Sequence, residues 1–200
     1  MSDADVAAFR RSERERCRAL RRAEGPASRA AVLANVDRVV DALLHAMPKT
    51  RIAFYWPIQG EVDLLAAMER ALVRGAVVAL PVVIAHDAPL VFRQWTKSVA
   101  MERGIWNIPV PCADAPHVDP DAMFVPVVGY DPQGYRLGNG GGFYDRTLAA
   151  RKPRPLAIGI GFTSLAMPSL KPEAHDIPMD VVVTEGPFDE ARLRALIRSR

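Results

Sequence analysis

The sequence predicts an α/β fold: a single domain in three layers, with an open, mainly parallel sheet and helices on both faces. Three observations predict it. First, a strand-like run at 51–56, an amphipathic stretch and a second buried run at 76–83 follow in close succession. Strand, short helix, strand calls for parallel pairing through a right-handed crossover. Second, an apolar run at 123–128 leads into a glycine-rich loop and then a helix start at Phe143. Third, 200 residues with 50% hydrophobic content suit one domain with a substantial core, and neither an internal repeat nor a low-complexity segment divides the chain.

In order, residues 3–22 read as a helix with Val6, Phe9, Cys17 and Leu20 on one stripe and arginines on the other faces. Glu13 occupies a slot in that stripe where leucine would fit. Gly25-Pro26 breaks the chain, and Ser28 is positioned to cap a second helix running to about Met47. The strand at 51–56 turns at 57–60, and Val62, Leu65, Met68 and Leu72 mark the crossover helix that Gly75 ends. Residues 90–95 alternate like a strand. The segment 104–111 is too proline-rich for a helix and reads as a pocket rim. A turn at 131–134 precedes the glycine loop, and a helix follows at 144–152. Strands at 155–161 and 181–184 and a last basic helix at 188–200 complete the chain.

The net charge of +3 is unevenly placed. Residues 1–22 carry seven arginines against four acidic residues, and the remainder is balanced. An evenly basic surface would point to nucleic acid. One basic helix on a neutral body fits a small polyanion such as a nucleotide equally well. No apolar run approaches the roughly 20 residues a membrane helix needs. The N-terminus lacks the apolar centre of a secretory signal, so a cytoplasmic protein is expected. Cys17 and Cys112 form no CxxC pattern and suit reduced thiols, and His45, His86, His117 and His175 show no zinc-ligand spacing.

The loop at 136–145 reads RLGNGGGFYD. Strand, glycines, helix start is how a chain brings backbone N–H groups up to a phosphate. It is not a Walker A sequence, since no Gly-Lys-Ser/Thr follows, nor a dinucleotide GxGxxG. Arg136 before the glycines and Asp145 after them add a cation for phosphate oxygens and a hard oxygen ligand for Mg²⁺. In a parallel sheet, ligands sit beyond the carboxyl ends of the strands. Glu61 lies there, either facing water near a helix N-terminus or reaching a ligand.

The run GYDPQGYRLGNGGGFYDR resembles the signature of the 5-formyltetrahydrofolate cyclo-ligase family. The basic N-terminal helix, Gln59-Gly60-Glu61-Val62-Asp63, Gly104-Ile105-Trp106-Asn107-Ile108-Pro109 and His175-Asp176-Ile177-Pro178-Met179-Asp180 are similar to family elements in the same order. The resemblance implies a Rossmann-like cyclo-ligase domain over 1–200. It also implies an ATP- and Mg²⁺-dependent closure of 5-formyltetrahydrofolate to 5,10-methenyltetrahydrofolate, with ADP and phosphate released. The partners would be these small molecules, with neither nucleic acid nor membrane, and the protein a monomer or homodimer.

Residue by residue, the resemblance puts Arg10 and Arg14 on the phosphates, with Arg11/Arg16 and Arg14/Arg18 as other registers. Leu137, Gly138, Asn139, Gly140, Gly141, Gly142, Phe143 and Tyr144 would line the nucleotide with Arg136. Asp145 and Asp176 would hold Mg²⁺, and Arg136 and Asp145 would be catalytic. Glu61 would bond the pterin N–H donors beside Trp56, Trp106 and Tyr144. Trp106 either stacks on a flat ring or fills the core. Phe143 and Tyr144 pack the helix start or face a ligand. Asn139, Gly141 and Phe143 depart from Tyr or Arg, Lys, and Tyr in many relatives. These departures leave room for a folate- or nucleotide-binding paralogue without turnover.

Overall fold

The computed structural model describes residues 3–199. A six-stranded sheet forms its centre. Parallel β1 (Arg51–Ala53), β2 (Val77–Val82), β6 (Ala122–Pro126), β9 (Leu156–Ile160) and β10 (Val181–Val183) are joined by antiparallel β3 (Val91–Gln94) at one edge. The order is β10-β9-β6-β1-β2-β3. The chain leaves β1 toward β2 and β3, then returns to β6 and proceeds the other way. The strand order therefore reverses between β1 and β6, where a parallel sheet opens a crevice at the carboxyl ends of its strands.

The expected helices lie on both faces, unequally. One face is covered by α1 (Asp3–Ala23), α2 (Pro26–Ala46), α3 (Leu65–Val73) and α5 (Glu190–Arg198), whose apolar stripes bury Ile52, Phe54, Val78, Leu80, Phe124 and Ile158. The other face carries small residues, Ala53, Ala79 and Ala157, under one short helix, α4 (Phe143–Ala150), and the 177–179 segment. Period-2 alternation along each strand separates the two cores. Cys17 is buried, Cys112 is half-buried, and both are unpaired. Among the described residues, no helix is long and apolar enough to cross a membrane.

Element ends moved where local chemistry overrode the pattern. α2 starts at Pro26 with Gly25 as its cap, because proline's fixed φ suits a first helical turn; Ser28 lies inside the helix. β1 pairs only to Ala53, although Phe54 still donates to Ala79 O at 2.9 Å. α3 begins at Leu65, where the Asp63 carboxylate accepts the Leu65 N–H at 2.9 Å. α4 starts at Phe143 and stops at Ala150, two residues short of its expected end. α5 is capped by Asp189, which accepts the Arg192 N–H, and Arg200 lies outside the described residues.

Two ribbons were not foreseen. β4 (Met101–Arg103) and β5 (Pro109–Pro111) make a hairpin around a 3₁₀ turn, Ile105–Asn107. β7 (Gly129–Tyr130) and β8 (Arg136–Leu137) flank the 131–134 turn. Asp131, 2% exposed, fixes that turn by accepting from the Gln133, Tyr135 and Leu170 N–H groups.

Candidate active site

The strand ends at the reversal open into a cleft of about 700 Å³. Its walls come from four parts of the chain. β1 delivers Tyr55, Trp56 and Glu61, β6 and β8 deliver the glycine loop, α1 lays its arginines across the opening, and the β4–β5 hairpin makes the rim.

The glycine loop rises from β8 and ends at Gly142, which caps α4 in the left-handed region at φ +64°, a conformation a side chain would strain. Among the described residues, the N–H groups of Asn139, Gly140, Gly141 and Gly142 donate to no protein acceptor. The loop is braced from behind by a residue the sequence reading missed. Arg146 donates to Gly141 O at 2.5 Å and to His86 O at 2.9 Å, with its guanidinium over the Phe143 ring. Phe143 thus packs the loop while still lining the cleft. Orphan amides at a helix start, in a loop that lines the cleft and is braced by Arg146, suit an anion.

α1 places Arg10, Arg14 and Arg18, one turn apart, along the cleft wall. Both the Arg10/Arg14 and Arg14/Arg18 registers therefore face the site. Arg16 turns away to pair with Glu13, and Arg11 is exposed. The three differ in what they have left to offer. Arg10 is consumed by Asp176 at 2.5 Å, Glu173 at 3.0 Å and two carbonyls of the 170–171 segment. Arg14 spends only Nε, on Gly138 O at 2.9 Å, and Arg18 donates to Asn139 Oδ1 at 3.0 Å. Arg14 and Arg18 are the cations with N–H groups to spare beside the loop. Arg18 thus brings a positive charge beside Asn139.

Arg136 and Asp145 are not independent. Arg136, its side chain 4% exposed, forks onto Asp145 with contacts of 3.0 and 2.9 Å, and Asp145 also accepts the Ile177 N–H. The pair ties β8 to the start of α4 and to the 177 segment. Asp176 is likewise paired. Burial pushes its carboxyl up, but the Arg10 hydrogen bond, the Glu173 amide and the Arg10 charge outweigh this and hold it below 3.8. Such a depressed acid contributes stability above its ordinary value and loses it as pH falls through the folded value. Asp176→Asn should therefore flatten the acid limb of the stability–pH curve below about pH 4, read by thermal melts. Hard oxygen ligands suit Mg²⁺. Among the described residues, the one clustered set of potential ligands is Glu173, His175 and Asp176, within 4.8 Å of one another. Asp145 is outside that set. The cleft thus offers Mg²⁺ two carboxylates, each already engaged by an arginine.

Across the cleft lies the other half of the site. Glu61 is 7% exposed, neither at the surface nor facing water. Its Oε2 accepts the Ile58 N–H at 3.1 Å, Oε1 lies 3.4 Å from Arg21, and the Asn139 side chain lies on the same cleft. Burial pushes its carboxyl above the ordinary value, against the Arg21 charge. Burial likewise pushes the phenols of Tyr55 and Tyr144 up, keeping both neutral hydroxyls. Tyr144 faces the cleft under the Arg136 guanidinium. Trp56 is half-buried in the wall. Trp106 does not fill the core: it is 60% exposed on the rim, edge-on to Phe143 at 5.6 Å. It holds φ +57°, and its neighbour Asn107 +59°. Consecutive left-handed non-glycine residues are uncommon, and such strain collects at ligand clamps.

A cleft at the reversal of a parallel sheet, with unpartnered loop amides on one wall and a buried carboxylate among aromatic rings on the other, is the candidate site of an α/β enzyme. The chain belongs to the 5-formyltetrahydrofolate cyclo-ligase family, which matches residues 6–185. It is similar to the 5-formyltetrahydrofolate cyclo-ligases of Mycolicibacterium smegmatis and Haemophilus influenzae. The first is 34% identical over 66% of this chain and 72% of the relative. The second is 29% identical over 70% of this chain and 79% of the relative. The 5,10-methenyltetrahydrofolate synthetase of Aquifex aeolicus superposes with a TM-score of 0.71 at 28% identity, covering 90% of this chain and 91% of that one.

Proposed function

We propose that this enzyme couples ATP hydrolysis to closure of 5-formyltetrahydrofolate into 5,10-methenyltetrahydrofolate, releasing ADP and phosphate. The observation that carries the reading is the pairing within one cleft of unpartnered loop amides, beside Arg14 and Arg18, with the buried Glu61 opposite. The formyl carbon is a poor electrophile, because nitrogen resonance stabilises it, and its oxygen is a poor leaving group. Transfer of the γ-phosphoryl group to that oxygen removes both obstacles. N10 then attacks the carbon, the five-membered ring closes, and phosphate leaves.

The residues divide the work. Asn139 to Gly142 amides with Arg14 and Arg18 hold and neutralise the phosphates. Arg136, seated on Asp145, supplies charge to the transferring group. Glu61 accepts the pterin N–H donors, and Trp56, Trp106 and Tyr144 enclose the rings. Asp145 and Asp176 would hold Mg²⁺, which supplies further charge neutralisation on the phosphate oxygens. Chemistry of this kind needs alignment and charge, not a protein nucleophile.

The direct test is purified protein with ATP, Mg²⁺ and 5-formyltetrahydrofolate, followed by the near-ultraviolet absorbance of methenyltetrahydrofolate. Absence of an ATP-dependent rise removes the proposal. The loop has its own test at Gly138. Its φ is ordinary and an added Cβ would meet nothing within 4 Å, so alanine there leaves the fold intact. If phosphate occupies that space, Gly138→Ala raises the KM for ATP about tenfold, or ~1.4 kcal/mol, at an unchanged melting temperature. Unchanged ATP kinetics would place the phosphates elsewhere.

A further inference from the structure

α1 carries a buried charged residue. Arg21 is 1% exposed, the last member of the Arg14, Arg18, Arg21 row, and its guanidinium lies under the cleft floor. Nη2 donates to Gln59 O at 3.0 Å, while Nη1 points between Glu61 Oε1 and Val127 O at 3.4 and 3.5 Å. Nε has no partner. A buried arginine is costly unless a counter-charge lies beside it. Here the side chains of the pair, Arg21 and Glu61, are 2% and 3% exposed. Arg29 of α2 closes the arrangement, donating to Arg21 O at 2.9 Å and to the Gly60 and Glu61 carbonyls.

We infer that Arg21 is a positioning residue for the folate site: from beneath the cleft it keeps Glu61 an anion and fixes the direction in which that carboxylate faces. The inference rests on the reading of Glu61 as the pterin acceptor. Desolvation alone would drive a carboxyl this buried toward its neutral form, which gives up acceptor capacity and becomes a donor. Of the other charged groups around Glu61, Arg29 donates to its main-chain carbonyl and not to its carboxylate. Asn139 from the loop is neutral, Tyr55 beyond β1 and Tyr144 on α4 are held as neutral phenols, Asp63 is an acid, and Arg18 of α1 acts mainly through Asn139. A purely structural Arg21 would tie α1 to the Gln59 and Val127 carbonyls and leave ligand affinity indifferent to pH.

The test titrates 5-formyltetrahydrofolate, without ATP, onto wild type, Arg21→Met and Glu61→Gln by tryptophan fluorescence from pH 6.5 to 9. Wild-type affinity is expected to stay flat. Arg21→Met, with Glu61 free to take up a proton, should bind about tenfold more weakly at pH 6.5, the factor for a carboxyl about nine-tenths protonated there, and recover as pH rises. A Met variant that tracks wild type at every pH, while Glu61→Gln loses binding, overturns the role of Arg21. Retained binding in Glu61→Gln instead overturns the reading of Glu61 itself. Should Arg21→Met fail to fold, the infrared difference between wild type and Glu61→Gln at pH 7 decides the matter. A carboxylate band supports the inference, and a carboxylic-acid band ends it.

Discussion

Alanine at position 136 is expected to lower turnover about 10²–10³-fold and to lower the melting temperature with it. Two losses combine. Arg136 is nearly enclosed, and its fork onto Asp145 spans β8, the start of α4 and the 177 segment. Removing one member of a buried pair leaves the other charge uncompensated, at a cost of about 3–5 kcal/mol when burial is complete. Asp145 is 17% exposed and keeps the Ile177 N–H, so ~2–3 kcal/mol is the reasonable figure. The catalytic loss has a separate cause: positive charge and the seating of Asp145 both leave the phosphoryl-transfer site. Steady-state kinetics with ATP and Mg²⁺ varied separately apportion the two. A raised KM for ATP marks the cation, and a changed Mg²⁺ dependence marks Asp145. Arg136→Lys keeps the charge but not the fork, so it should recover stability less well than charge neutralisation. Unchanged ATP kinetics in the alanine variant would take Arg136 out of the phosphate site.

What was legible in the sequence was whatever is local. Apolar runs of five or six residues gave the central strands, because a parallel strand buried on both faces needs no partner to be recognised. The glycine loop was legible for a similar reason: its composition serves the backbone itself. The β4–β5 hairpin was not. Met101, Glu102 and Arg103 are all exposed, so they carry no burial pattern, and prolines at both ends of β5 hide a strand whose pairing is set by distant geometry. Trp106 left two readings open. A tryptophan in an apolar segment reads as core, and only the left-handed turn at 106–107 turns it outward.

Among the arginines, residue type was a poor guide and position in three dimensions decided everything. Seven of them in residues 1–22 looked interchangeable. In the fold, Arg10 is spent on Asp176, Arg14 and Arg18 remain available to the loop, and Arg21 is buried. The 3.6-residue period would place Arg21 with the cleft-facing row. What it cannot foresee is that a charge on so basic a helix would be interior, since isolated arginines are almost never fully buried. Likewise Arg136 and Asp145 were singled out as separate groups. Nine residues apart across a loop, nothing local signals that they would face each other.

Glutamine at position 61 should then separate binding from catalysis. The substitution keeps the shape of the side chain and one acceptor oxygen, and removes the charge. A site built around a buried, hydrogen-bonded acceptor loses about 2–5 kcal/mol when that acceptor is truncated or neutralised. Glu61→Gln should accordingly raise the KM for 5-formyltetrahydrofolate by at least about 30-fold, the factor for about 2 kcal/mol, while the KM for ATP, held across the cleft, stays within about twofold. The variant also leaves Arg21 buried opposite an uncharged amide. A loss of about 3 kcal/mol follows, or about 6–12 °C in melting temperature for a chain of this length. The two effects can be pulled apart with the double variant Arg21→Met/Glu61→Gln. Removing both charges relieves the buried, unpaired guanidinium, so most of the melting temperature returns, but the acceptor is still missing and folate affinity does not. Were folate affinity to return along with stability, the carboxylate would be a fold element whose place in the cleft wall is incidental. Were neither to return, Arg21 would be doing structural work through the Gln59 and Val127 carbonyls that its pairing with Glu61 does not account for.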